Sequence, residues 1–138
     1  MSKTFESISV GEELGPLELF VSRDQCRNYA RTCAMEAPRF MDDEGAKLER
    51  LPGMILPGNM SLGLITRLLT DWIGSGPARI ARIGATYRVP VQPDHTLTIH
   101  GFITHIHPEN RSIEIDLWLE NEEADRLVTG AATVEFTK

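Results

Sequence analysis

One segment constrains this chain more than any other. Leu62, Ile65, Leu68, Leu69, Trp72 and Ile73 recur at the spacing of a buried helical face, over about three turns. The helix is expected to begin near Asn59 or Ser61, and Gly74, Gly76 and Pro77 stop it. Leu64 falls off the stripe and Gly63 offers room for close approach, so burial on more than one side is expected. Everything after Pro77 alternates with period two. Ile113, Ile115, Leu117 and Leu119 against Glu114, Asp116, Trp118 and Glu120 form the cleanest run. Residues 81–89, 96–104 and 127–136 supply three more strands, with turns at Pro90–Asp94, Pro108–Arg111 and Asn121–Asp125. A single apolar helix beside a sheet with one apolar face needs that sheet as its cover.

The first half adds a strand near Gly15–Val21 and a helix opening at Ser22. Gln25, three residues on, completes a capping box. Cys26, Tyr29, Ala30 and Cys33 follow at helical spacing. From Met35 to Pro57 prolines and glycines break the pattern, and Asp42 is placed to cap a short helix through Glu44 to Leu48. The fold class is therefore α+β, in one domain spanning 1–138.

Fourteen basic against twenty acidic residues give a net charge of −6, with no basic run. That balance argues against nucleic acid or an anionic membrane as partner. No apolar stretch reaches the length of a spanning helix, and the start Met1-Ser-Lys-Thr-Phe-Glu lacks a leader pattern, so a cytoplasmic location is expected. Cys26 and Cys33, one above the other on a helix, stand about 10 Å apart, too far to bridge. Both are expected to be reduced and packed. His95, His100, His105 and His107 share one strand region; half-exposed strand residues outweigh a metal site, and no metal is expected.

Three motifs then narrow the reading. Phe5-Glu-Ser-Ile-Ser-Val-Gly resembles the start of MaoC-like hydratases, "F-E-D-hydrophobic-x-V-G". Pro52-Gly-Met-Ile-Leu-Pro-Gly-Asn-Met-Ser-Leu-Gly-Leu resembles the loop entering their central helix. Tyr87-Arg-Val-Pro-Val-Gln-Pro-Asp-His-Thr-Leu resembles their "R-F-x-x-P-V-x-P-G-D-T-L" strand and turn. The resemblance, in order and over nearly the whole chain, implies the hot-dog fold: an antiparallel sheet wrapped around a long central helix. It further implies a coenzyme A thioester as substrate or ligand, with no other cofactor, and (R)-specific addition of water to an enoyl-CoA. The implied assembly is a homodimer or a hetero-oligomer with a second hot-dog subunit.

Such chemistry needs a base for water and an acid for the carbon beside the thioester. The family carries them in an Asp-x-Asn-Pro-x-His-x-Asp loop, which falls here on Met35-Glu-Ala-Pro-Arg-Phe-Met-Asp. Pro38 and Asp42 match, whereas Met35 and Phe40 occupy the positions of the acid–base pair. Glu36 is the candidate displaced acid or base, against the plainer reading of a solvated glutamate. Gly58 and Asn59 are the candidates for holding the thioester oxygen at the helix start, with Asn59 equally readable as the N-cap. Arg82 and Arg88 are candidates for the phosphates or adenine of coenzyme A, against pairing with Glu114, Asp116 or Glu120.

The readings are a lyase of the enoyl-CoA hydratase or dehydratase type with a rebuilt site, a non-catalytic subunit of a heteromeric hydratase, and, third, a hot-dog thioesterase. The stretch Gly58–Trp72 also resembles the small subunit of two-chain hydratases acting on steroid side-chain CoA esters.

Overall fold

Alternation decides the sheet. Ile113, Ile115, Leu117 and Leu119 all point inward and are buried, while Glu114, Asp116, Trp118 and Glu120 face outward. The computed structural model describes residues 3–137; the first two residues of the stretch read for a leader lie outside the described residues. In chain order they form β1 (Glu13–Val21), α1 (Arg23–Thr32), a 3-10 turn (Pro38–Phe40), α2 (Asp43–Leu48) and α3 (Gly58–Ile73). Four strands follow: β2 (Ala78–Tyr87), β3 (His95–His107), β4 (Ser112–Glu120) and β5 (Arg126–Phe136). All pairings are antiparallel, in the order β1-β3-β4-β5-β2, so β1 and β2 are the edges.

α3 lies along the inner face and touches β1, β2, β3 and β4. Its residues Ile65, Leu68, Leu69 and Ile73 join Leu97, Ile99, Ile103 and Val128 in one core. The sheet wraps the helix, as the α+β reading expects. The wrapping is one-sided, however. Arg67, Thr70 and Asp71 are exposed, and no atom lies within 4 Å of a Cβ built on Gly63. The buried face is thus broader than the stripe, with Met60 and Leu64 half-buried against the core, but the side with Gly63, Arg67, Thr70 and Asp71 is open.

The helix starts follow their local chemistry. The Ser22 hydroxyl accepts from the Gln25 N–H, and the Gln25 side chain accepts from the Ser22 N–H, completing the capping box. The Asp42 carboxylate accepts from the Gly45 N–H at 2.6 Å and starts α2 as expected. α3 differs: it begins at Gly58 with Pro57 at the cap position and no side-chain cap. Asn59 is therefore inside the first turn and is not the cap. Cys26 is buried, with its thiol pushed up to about 11 chiefly by desolvation. Cys33 is exposed, contrary to the packed expectation, because it is the residue where α1 ends and turns away from the core. No helix among the described residues is long and apolar enough to cross a membrane.

Two glycines separate backbone need from open space. A Cβ on Gly130 would stand 2.5 Å from the Gly84 carbonyl oxygen on the neighbouring strand, where backbone must move to admit it. Gly130→Ala is expected to lower the urea midpoint, by roughly 1–3 kcal/mol of overpacking. Gly63→Ala, with nothing to meet, is expected to raise it by about 0.5–1 kcal/mol through helix propensity.

Candidate functional site

Three segments converge at the uncapped start of α3. The Ile55 N–H donates to the Arg39 carbonyl at 3.0 Å, and the Leu56 N–H donates to the Val91 carbonyl at 2.7 Å. The Cys26 thiol donates to the Ile55 carbonyl at 3.4 Å and lies 3.7 Å from the Phe40 carbonyl, fastening α1 beneath both. These bonds lace together the 3-10 turn, the approach to α3 and the chain leaving β2. Between them lies a cleft of about 280 Å³.

Its wall is apolar: Phe40, Ile55, Leu56, Val89, Pro90 and Val91. Its polar members are Gly58, Ser61 and Tyr87, with Arg88 and with Arg39, whose guanidinium is paired with Glu49 at 3.0 Å. Among the described residues the Gly58 and Asn59 N–H groups have no partner, as the first amides of any helix lack one within it. The positive end of a sixteen-residue helix therefore opens where Gly58 lines the cleft. Only glycine fits there comfortably. A Cβ at 58 would come within 3.2 Å of the phenol end of the Tyr87 ring.

A second set of contacts holds the approach loops. Arg23, at the start of α1, pairs with Asp43 and with Asp94, each at 2.9 Å. Asp43 also accepts from the Met54 N–H at 2.8 Å. The Arg23 guanidinium, followed by the Met54 N–H, holds the Asp43 carboxyl below its ordinary value.

The residues singled out from sequence divide in two. Gly58 and Arg88 line the cleft, and so does Phe40 from the acid–base loop. Arg88 also donates from Nε to the Thr129 hydroxyl at 3.1 Å. Glu36 is exposed and Met35 half-buried, and neither borders the cleft. Asn59 is exposed on the far side of the first turn. Arg82 belongs elsewhere. It lines a larger, open groove of about 600 Å³ on the outer face of the sheet, with Glu114, Asp116, Trp118 and Arg126. Strand alternation puts Arg82 on the face away from α3; Arg88, one residue beyond the end of β2, borders the cleft while its side chain bonds Thr129, a residue of the outer groove. The outer groove is larger but borders neither the helix start nor the acid–base loop, so the smaller cleft has the better chemistry. Sequence reasoning missed Ser61 and the role of Tyr87. The signal for Tyr87 was a hydroxyl-bearing ring in the position where the resembled motif has Phe.

The histidines are occupied by glutamates. His95 pairs with Glu122 at 2.8 Å, His100 with Glu120 at 2.9 Å and His107 with Glu114 at 2.6 Å. His100 also stacks on Trp118. Among the described residues no three His, Cys, Asp or Glu side chains gather as a metal-holding group.

The family model for the MaoC like domain matches residues 6–117. The chain belongs to the MaoC-like family. No curated protein matches the sequence. Among solved structures, this MaoC-like chain is similar to the (R)-hydratase from A. caviae involved in PHA biosynthesis, with TM-score 0.86 and 18% identity over 96% of this chain and 99% of that one. It is also similar to a chain of the ChsH1-ChsH2 complex from Mycobacterium tuberculosis, with TM-score 0.83 and 22% identity over 94% and 98% of the two chains. A third is the HadBC (3R-hydroxyacyl-ACP dehydratase) complex from Mycobacterium tuberculosis, with TM-score 0.74 and 16% identity over 97% and 99%. At these identities the likeness is one of fold, and that fold is the hot-dog.

Two outcomes test this geometry. Cys33 is expected to react with a thiol reagent in the native protein and Cys26 only on unfolding, because burial disfavours its thiolate. His107 is raised by its hydrogen bond to Glu114, and Glu114 is lowered by the same bond. The His107 share of stability is present at low pH and lost as pH rises through its raised value. The Glu114 share is lost as pH falls through its lowered value. Glu114→Gln is expected to move the His107 midpoint down, as read from NMR titration.

Proposed function

We propose that this MaoC-like chain binds a coenzyme A thioester in the cleft at the start of α3, as a protein of the (R)-specific enoyl-CoA hydratase or dehydratase type that lacks the usual acid–base pair. The single observation that carries this reading is the pairing of Phe40 with Gly58 across one cleft. The helix start retains donors for a carbonyl oxygen on which negative charge develops. The apolar wall suits an acyl chain, and the phosphates of the carrier would meet Arg88, bonded through Nε to Thr129, and the Glu49-paired Arg39.

Hydration also requires a proton to be taken from water and another delivered to the carbon beside the carbonyl. Phe40 and Met35 cannot exchange protons. Glu36 faces solvent outside the cleft, which supports the solvated reading over the displaced catalyst. The carboxylates Asp42 and Asp43 are engaged in the α2 cap and the Arg23 pair. The chain therefore holds and polarises the thioester without moving protons itself.

A second reading has its own observation. Tyr87 and Val89, both 49% exposed, sit at the cleft beside the unpaired edge of β2. An open edge with apolar residues on it suits a second hot-dog subunit, which would cover the cleft and supply the missing acid and base. Two of the similar structures are two-chain complexes. In this reading the chain is the non-catalytic subunit of a heteromeric hydratase.

The test measures crotonyl-CoA binding by calorimetry and hydration by absorbance. The chain alone is expected to bind and to leave the enoyl-CoA unhydrated, since general acid and base catalysis contribute about 10²–10⁴-fold each. Met35→Asp combined with Ala37→Asn and Phe40→His is expected to raise hydration above the wild-type background. Ordinary hydratase turnover by the wild-type chain, abolished by Glu36→Gln, would overturn the proposal.

A further inference from the structure

Tyr87 stands over the first residue of α3. A Cβ built on Gly58 would lie 3.2 Å from Cζ of the Tyr87 ring and 3.4 Å from each Cε atom. The ring therefore rests on Gly58 through the end that bears the hydroxyl, and a residue without a side chain leaves it that seat. Tyr87 is the last residue of β2 and is 49% exposed, and its hydroxyl bonds to none of the described residues.

The other polar side chains nearby are committed or differently placed. Arg39 pairs with Glu49, and Arg88 donates to the Thr129 hydroxyl. Ser61 lies a turn further along α3, at 1% exposure. A second phenol, Tyr29, neighbours Tyr87 and is held above its ordinary value by desolvation and then by a hydrogen bond with Cys33. The Tyr87 hydroxyl remains available to a molecule in the cleft.

What this hydroxyl would meet depends on the proposed seating of a thioester carbonyl at the Gly58 N–H, and the inference rests on that reading. An oxygen accepting an N–H bond of about 2.9 Å and an O–H bond of about 2.7 Å allows its donors to stand up to about 5.6 Å apart. The contact of the phenol end with Gly58 falls inside that span. A carbonyl oxygen has two lone pairs and can accept from both donors. Donors supplied by two elements and aimed at one oxygen polarise the carbonyl, and an apolar wall strengthens each of them. The sequence agrees: the resembled motif has phenylalanine here, so the chain carries a hydroxyl beside the carbonyl seat while Met35 and Phe40 stand at the acid–base positions.

We propose that Tyr87 is a carbonyl-binding residue of this cleft, its hydroxyl donating to the thioester oxygen alongside the Gly58 N–H. The chain then prefers thioesters to ligands that lack this oxygen, and it draws electron density out of the acyl group without exchanging a proton. Gly58 has two roles in this arrangement, as a backbone donor and as the seat of the ring that carries the second donor.

The experiment compares the wild-type chain with Tyr87→Phe, which keeps the ring over Gly58 and removes only the hydroxyl. The probes are crotonyl-CoA and S-but-2-enyl-CoA, a thioether without the carbonyl oxygen, each titrated by calorimetry. Tyr87→Phe is expected to weaken crotonyl-CoA roughly two- to tenfold, as for one hydrogen bond, and to leave the thioether unchanged. Infrared difference spectra of crotonyl-CoA carrying carbon-13 at the carbonyl supply a signature that a packing role would not move. The carbonyl band is expected to shift to lower frequency on binding to the wild type and to shift less with Tyr87→Phe. Thermal unfolding of the variant is expected to match the wild type, because the side chain is half exposed. A carbonyl band that is the same in both proteins, or equal weakening of the thioester and the thioether, would overturn the inference while leaving thioester binding in place. Failure of crotonyl-CoA to bind the folded wild-type chain would overturn both.

Discussion

The apolar stripe of α3 against the curved inner face of the sheet is the contact on which the rest depends. Ile65, Leu68, Leu69 and Ile73 are withdrawn from water only because β1, β2, β3 and β4 present complementary apolar rows. Each fully buried aliphatic side chain contributes about 1.5–3 kcal/mol relative to exposure. The helix start is consequently fixed as well. A helix seated along its length over the sheet cannot rotate its first turn, so Gly58 and Ser61 face the same cleft in every copy.

The cleft itself is made by backbone bonds, so its location does not depend on which side chains line it. Amide-to-carbonyl bonds from Ile55 and Leu56 join three segments without regard to side-chain identity. Arg23 then closes the outside of the same junction through two carboxylates on different loops. These ion pairs are partly exposed and individually weak. Their value is geometric, since one guanidinium fork fixes the start of α1 against both approaches. Phe40 can stand in the acid–base loop because the 3-10 turn after Pro38 is held by this framework and not by the side chain it carries.

Legibility followed periodicity. The strands after Pro77, the stripe of α3, the Ser22 box and the Asp42 cap all rest on local spacing, and local spacing is what a sequence displays. The errors fall where a side chain's direction depends on a neighbour distant in sequence. Asn59 is one residue inside a helix whose true start was set by Pro57. Arg82 and Arg88 belong to one run, yet only Arg88, beyond the end of β2, borders the cleft, and its side chain bonds Thr129 of the outer groove. Cys33 keeps the spacing of a packed residue, but α1 ends there and the core does not reach it. Ser61 gave no signal, because local spacing does not say that a cleft opens beside it.

The proposed combination of a thioester cleft with replaced proton-moving groups is physically coherent, because the two halves of such a site rest on different parts of the fold. Oxygen binding uses backbone amides at a helix start, which persist as long as α3 is covered. Proton transfer uses two side chains on a loop, and a phenylalanine there retains the loop's packing: Arg39 lies over the Phe40 ring at 4.6 Å, and the ring is itself buried. A buried aromatic in place of an ionisable group removes a desolvation penalty and adds apolar contact. Phenylalanine at this position therefore carries no desolvation cost in folding, and the wall of the cleft is drier. Under the proposed reading, the cleft of this chain is adapted to hold a ligand between that apolar wall and the start of α3.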